Sequence, residues 1–260
     1  MDRFFKSLCF AFCFLCLLTI SCSKEKELIV VQVTEGPGLT NCYLLYELPT
    51  REAAIFDVSG RLDSLIKVIN EKNLFLKYIF ITHAHWDHVD GIFDLEEKFP
   101  EAKICISNEE YTAMQEYTNF AKTSDPKRFE EVMRDSALSK MISIDLRSIR
   151  PDHFIKDKEE FQLGHSIVRA LLSPGHSVGS VCFSCDNLLF SGDVLFYRSA
   201  GNTNFYMASR SDLIQSVRKL YLMFPDSTIV YPGHGQITDI GSEKIKNKYI
   251  SIDDGKWDTK

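Results

Sequence analysis

Tyr78-Ile79-Phe80-Ile81-Thr82-His83-Ala84-His85-Trp86-Asp87-His88 is an apolar run that stops abruptly at three imidazoles and a carboxylate. An apolar run rich in β-branched and aromatic residues, ended by polar ones, reads as a buried strand whose C-terminal end opens into a loop. His83 and His85 stand two apart, so both project to one side of an extended turn, while Asp87 and His88 fall on the next turn, at the start of a helix. Imidazole suits Zn²⁺ and other first-row divalent ions, and an added carboxylate leans away from a purely structural zinc, which prefers thiolates. The competing reading is a polar loop with fortuitous histidines.

Working outward, Ser173-Pro174-Gly175-His176-Ser177 and Tyr231-Pro232-Gly233-His234-Gly235 each place a histidine after an apolar run, Ile167 to Leu172 and Thr228 to Val230. Between them Leu188-Leu189-Phe190-Ser191-Gly192-Asp193 puts an acid at the end of another apolar strand. Four strand ends thus deliver His83, His85, Asp87, His88, His176, Asp193 and His234. Ligands and catalysis sit at such strand ends in layered α/β folds.

These segments, in this order, resemble the metallo-β-lactamase superfamily of hydrolases, especially its glyoxalase II-like branch, over roughly Leu28 to Ile240. The resemblance implies an α/β, four-layer αββα sandwich with two divalent metals, Zn²⁺ first and Fe or Mn as alternatives, at the edge between the sheets. It assigns His83, His85 and His176 to one metal, Asp87, His88 and His234 to the other, and Asp193 to both. Asp57, closing the strand Ala53-Ala54-Ile55-Phe56, matches an acid that supports the histidine loop from behind; an ordinary strand-end turn residue is the other reading. Two metals about 3.5–4 Å apart share a water and lower its pKa towards about 7. The metal-bound hydroxide is then the expected nucleophile for an ester, thiolester or related carbonyl, with Asp87 orienting the water.

The N-terminus speaks of place. Asp2, Arg3 and Lys6 precede an apolar run, Leu8 to Ile20, that falls short of the about 20 residues of a comfortable membrane span. This reads as a secretory signal over residues 1–21, and Leu18-Thr19-Ile20-Ser21-Cys22 resembles a bacterial lipoprotein box. An acylated Cys22, a tether over 22–27 and a domain over 28–260 follow, exported and lipid-anchored to the membrane on the periplasmic or surface side of the bacterial envelope. An uncleaved signal anchor is the alternative. Of eight cysteines, Cys9, Cys13, Cys16 and Cys22 belong to that leader. Cys182 and Cys185 are spaced like a redox or zinc pair but lie on a strand, where residues three apart face opposite sides. Buried, unpaired cysteines are expected.

Removing Met1 to Ser21 takes the formal charge from −6 to −7, with no basic run, so nucleic acid is excluded as the expected substrate in favour of a small molecule. The remaining 239 residues suffice for one two-sheet domain. Strands are expected at Leu28–Val33, Cys42–Glu47, Ala53–Asp57, Tyr78–Ile81, Lys103–Ile106, Ser166–Leu172, Ser180–Ser184 and Leu188–Ser191. Helices are expected over Leu62–Glu71, Ile92–Lys98 and Ser211–Phe224. A helical insertion over about 108–140 carries Tyr111, Tyr117, Phe120 and Phe129, which line an apolar pocket or pack on the sandwich.

The loop after Asp193 bears on substrate. Glyoxalase II-like and persulfide dioxygenase relatives tend to carry a basic residue near Asn202 that grips a glutathione carboxylate, and here that position is neutral. Arg198 either substitutes for it or is a solvated loop residue. Three further readings compete with the hydrolase: a mononuclear iron, persulfide dioxygenase-like oxidoreductase; a β-lactamase, disfavoured because those enzymes commonly lack the acid at Asp193; and a non-catalytic binding protein.

Overall fold

Strand β2 (Thr40–Glu47) buries every one of its residues, so it has protein on both faces. Its alternate side chains divide: Cys42, Leu44 and Tyr46 enter one apolar cluster, while Tyr43 and Leu45 enter another. Successive side chains of a strand point to opposite faces, and two apolar sets on one strand require two packed layers. The computed structural model describes residues 26–36, 38–124, 148–205 and 207–251 and shows those layers.

The first sheet runs β1 (Leu28–Glu35), β2, β3 (Glu52–Phe56), β4 (Phe75–Phe80), β5 (Lys103–Ser107) and β6 (His153–Ile155), in that spatial order. β1 to β3 pair antiparallel and β3 to β6 pair parallel. The second contains β7 (Glu160–Leu163), β8 (Ser166–Leu172), β9 (Val181–Cys185), β10 (Leu188–Gly192), β13 (Ile229–Pro232) and β14 (Thr238–Asp239), ordered β14-β13-β10-β9-β8-β7. A short hairpin of β11 (Leu195–Phe196) and β12 (Ser199–Ala200) follows Asp193. Helices α1 (Asp63–Lys72) and α3 (Ile92–Lys98), with the short α2 (Trp86–Val89) between them in sequence, cover the outer face of the first sheet through Leu65, Ile66, Ile69, Val89, Ile92 and Leu95. Helices α5 (Arg210–Met223) and α6 (Ile240–Lys246) cover the second through Leu213, Val217, Leu220 and Ile240. The result is the expected αββα sandwich.

Between the sheets lies an aromatic floor. Phe56 stacks on Phe190 with ring centroids 3.9 Å apart and on Phe80 at 5.4 Å, and Phe80 meets Phe183 at 4.7 Å. Phe56, Phe80 and Phe190 are the last inward aromatic residues of β3, β4 and β10, whose next residues lead to Asp57, His83 and Asp193. Close-packed rings have low compressibility, so the strand ends above them are held in register.

Most expected elements lie within a few residues of the observed ones. β6, β7, β14, α6 and the β11–β12 hairpin are additional to the expected elements; all are short, with β6 and β14 only three and two residues long. Of the expected tether, Lys26 pairs with Asp186 and the Glu27 carbonyl accepts from Leu48 N–H. The expected signal segment, Cys22 and the rest of that tether lie outside the described residues. Helix α4 (Asn108–Ser124) represents the expected insertion, whose remainder up to 140 also lies outside them. Tyr111 packs on Phe154 and the first-sheet cluster rather than over the site; the side chains of Tyr117, Phe120 and Phe129 lie outside the described ones. Cys42, Cys105, Cys182 and Cys185 are free and buried, Cys182 in the outer layer and Cys185 between the sheets. Among the described residues no helix is long and apolar enough to cross a membrane.

Candidate metal centre

The loops after β4, β8, β10 and β13 meet at one edge of the sandwich, and their seven candidate side chains converge there as three overlapping groups: His83–His85–His176, His83–His88–Asp193 and Asp87–His88–His234. In the first group His83 Nε2 lies 3.0 Å from His85 Nδ1 and 3.2 Å from His176 Nε2, which is 2.9 Å from His85 Nδ1. Donors on a tetrahedral zinc with bonds of about 2.0–2.1 Å stand about 3.3 Å apart, so this triangle is slightly tighter than a zinc's. In the other set, Asp87 Oδ2 lies 3.3 Å from His234 Nε2 and 3.6 Å from His88 Nε2, and the two imidazole nitrogens are 3.4 Å apart. Asp193 stands between the sets, its Oδ2 3.5 Å from both His176 Nε2 and His234 Nε2.

Hydrogen bonds behind the rings decide which nitrogen carries the proton. The Asp57 carboxylate accepts from Thr82 N–H and Thr82 Oγ1, each at 2.8 Å, and lies 2.8 Å from His88 Nδ1. His88 therefore carries its proton on Nδ1 and presents Nε2 to the site. Thr82 has one hydroxyl proton and donates it to Asp57, so at the 3.0 Å contact His83 Nδ1 is the donor. His176 Nδ1 donates to the Asn202 carbonyl at 2.7 Å. His83 and His176 are thus left with Nε2 lone pairs facing each other, which cannot hydrogen-bond together. Such back-side partners are what orient metal-ligating histidines.

Electrostatics separate the two sets. Burial holds His83 well below the usual imidazole range, pushes His85 down to about 3 and His176 down to about 4. All three are neutral at neutral pH, the form that ligates. Burial also opposes charge on His88, but Asp57, Asp193 and Asp87 outweigh it and carry its pKa up to about 10. His234 is raised in the same sense, against burial, by Asp87 and Asp193. Asp87 is buried too, yet His234, His88 and the Thr40 hydroxyl pull its pKa well below the ordinary carboxylate value. Asp193 is pushed up by burial, and its buried Oδ1 has no hydrogen-bond partner. Buried polar atoms are nearly always satisfied. An orphaned carboxylate oxygen beside lone pairs forced together is the donor set of a cation site, and these residues fit divalent metal.

Glycines permit the close approach. Gly192 has φ +48°, and a Cβ there would lie 2.5 Å from Thr82 Oγ1; a Cβ on Gly233 would lie 2.3 Å from Asp193 Oδ1.

In the loop after Asp193, Arg198 is partly exposed and pairs with Glu243: its Nη1 donates to that buried carboxylate at 2.6 Å, and its backbone N–H donates to the same group. Asn202 serves through its backbone carbonyl, while its side chain accepts from Asn204 N–H in the loop. Several contributors carried no readable motif. Asn41 Nδ2 donates to the Pro232 and Gly235 carbonyls and fixes the His234 loop. Phe205 lies 4.8 Å from the His85 ring and is half exposed, and Phe196 meets His234 at 6.0 Å, so the rim is apolar on both sides. Buried Glu110 contacts two of the ligand loops. Acids are common in a helix's first turn, which hides its role in the sequence.

Comparison with known proteins agrees with the geometry. The family described as the metallo-beta-lactamase superfamily matches residues 36–234. Hydroxyacylglutathione hydrolase GloC of Haemophilus influenzae is 32% identical over 214 residues, covering 81% of this chain and 92% of the relative. The crystal structure of the BLEG-1 B3 metallo-beta-lactamase superposes with a TM-score of 0.69 at 28% identity, over 85% of this chain and 99% of that one. ETHE1 from Myxococcus xanthus gives 0.64 at 25% identity, over 86% and 84%.

Proposed function

The chain belongs to the metallo-β-lactamase superfamily of metal-dependent hydrolases, and we propose that it is a binuclear hydrolase of an ester, thiolester or related carbonyl in a small molecule. The observation that carries this reading is the position of Asp193 Oδ2, 3.5 Å from a histidine of each set. The convergence of Asp87, His88 and His234 as a second set supports two ions rather than one. His83, His85 and His176 would hold one divalent ion, Asp87, His88 and His234 the other, and Asp193 would bridge them, with Zn²⁺ the expected metal and Fe or Mn the alternatives. When bound, such ions supply Lewis acidity and a water of lowered pKa.

The protein's own groups do the rest. Asp57 keeps the proton on His88 Nδ1, so that only Nε2 is given up to the site. The Thr40 hydroxyl, 2.8 Å from Asp87 Oδ2, fixes the carboxylate expected to orient the attacking water. Phe205 and Phe196 form apolar walls that restrict solvent at the reacting carbonyl. The similarity to a hydroxyacylglutathione hydrolase supports an acyl–sulfur substrate, but Arg198 is tied to Glu243 and does not reach for a glutathione carboxylate.

The likeness to ETHE1 favours keeping one second reading, a mononuclear iron, persulfide dioxygenase-like oxidoreductase. β-Lactam hydrolysis draws support from the BLEG-1 likeness and is weakened by the retained Asp193. Export and anchoring through acylated Cys22 remain part of the proposal and rest on the leader sequence alone. The function is tested by thiolester hydrolysis with the zinc-loaded protein: His85→Ala should lose several orders of magnitude along with metal at the first set. Equal activity and equal metal content in the variant would refute it.

A further inference from the structure

Glu110 lies in the first turn of α4, yet neither of its oxygens serves the helix. Oε2 accepts from Ala84 N–H at 2.8 Å, between His83 and His85, and Oε1 accepts from Gly179 N–H at 2.7 Å, three residues beyond His176. The side chain is buried, only 3% exposed. Among the described residues its main partners are those two amides and the Ser177 hydroxyl, with the neighbouring Glu109 opposing its charge. Burying a carboxylate against neutral donors is costly, and removing it would leave two buried amides without their acceptor.

The surroundings tighten the same junction. Ser107 Oγ donates to the Gly179 carbonyl at 2.7 Å and accepts from Glu110 N–H at 3.2 Å. Val181 N–H donates to the Thr82 carbonyl at 2.8 Å. The loops press so closely that a Cβ on Gly179 would come within 2.4 Å of Ser107 Oγ and 2.6 Å of Glu110 N. Glu110 hydrogen-bonds the backbone of both loops at once. One supplies His83 and His85 and comes from the first sheet; the other supplies His176 and comes from the second.

We propose that Glu110 is a positioning residue that clamps these two loops and sets the separation of His83, His85 and His176, and with it the affinity of the first metal set. The inference rests on the metal-site reading above. Asp87, His88 and His234 do not touch Glu110 and are held instead through Asp57, Thr40 and Asn41. The effect should therefore fall on one set alone.

The test is zinc titration of metal-free full chain against a chromophoric chelator, with Co²⁺ absorption as a spectroscopic readout, on wild type, Glu110→Gln and Glu110→Ala. Glutamine is isosteric but turns one acceptor into a donor facing an amide, so it loses one loop; alanine loses both. Partners behind a ligand typically change metal affinity about 10–100-fold. That weakening is expected in the first-set step, larger for alanine, with an altered Co²⁺ spectrum and an unchanged second-set step. Two wild-type steps in Glu110→Gln, or equal weakening of both, would overturn the inference, since general loosening of the fold would not discriminate between sets. If Glu110→Ala does not fold, Glu110→Gln decides. A wild type that takes up no metal would overturn the metal-site reading itself, and that failure is visible in the parent protein.

Discussion

Replacing Asp57 by Asn changes one atom and should disable the second metal set. Asp57 Oδ2 is 2.8 Å from His88 Nδ1, both side chains being essentially inaccessible, and the other oxygen accepts from Thr82 N–H. An amide can satisfy one of these sites and must turn its NH₂ towards the other. Turned to His88, it forces the imidazole proton onto Nε2, the atom facing His234 and Asp87. Turned to Thr82, it sets donor against donor. The carboxylate also stabilises a proton on His88, but a dication at the same Nε2 gains twice as much from the anion, so the net effect is weaker metal binding. A loss of about 10–100-fold is expected, which is about 1.4–2.8 kcal/mol at 1.4 kcal/mol per decade. Asp57 has φ +59°, a left-handed conformation that Asn adopts readily and that costs most other residues about 1–2 kcal/mol. Asp57→Asn should therefore fold, and comparison with Asp57→Ala separates backbone strain from the lost anion. Competitive zinc titration resolves the two steps. An Asp57→Asn protein binding both ions with wild-type affinity would refute the tautomer argument.

Two further outcomes follow from the same geometry and a third from the N-terminal sequence. Asp193→Asn keeps the side chain's shape and removes the shared anion, so metal content measured by mass spectrometry should fall from about two ions per chain towards one; two tightly held ions would show that Asp193 supports the site from behind. Because the three carboxylates raise the His88 pKa to about 10 in the metal-free protein, a proton competes for Nε2 below that pH. Zinc affinity of the second set should rise with pH, by up to about tenfold per unit between about pH 7 and about pH 9, and a flat profile would contradict this. Cys22→Ala should abolish acylation and membrane partition, read by intact mass and detergent phase separation; a wild type cleaved elsewhere and freely soluble would refute the anchor while leaving the site untouched.

The parts of the site legible in the sequence were those where chemistry is concentrated at strand ends. Four histidine- and acid-bearing motifs after apolar runs mark the positions of all seven converging side chains, because a buried strand that ends in ligating residues has few other uses for them. The Cys182–Cys185 spacing could be read correctly from strand alternation alone, and the two do face different layers. What stayed hidden depends on contacts between segments far apart in the chain. Glu110 and Ala84 are 26 residues apart, and Asn41 and Pro232 are 191 apart. Nothing local in those residues announces a partner. Arg198 shows the same limit, since its ion partner Glu243 lies on α6, a helix the apolar periodicity did not reveal. That helix did have a readable start, Asp239 capping Ser242 N–H.

Whether the seven residues hold two metal ions together is decided by the metal content of the protein purified without added metal, measured beside its thiolester hydrolysis. About two divalent ions per chain, with activity lost on chelation and restored by zinc, is the result expected from the shared position of Asp193. A single iron per chain, or no uptake after incubation with zinc, would contradict it.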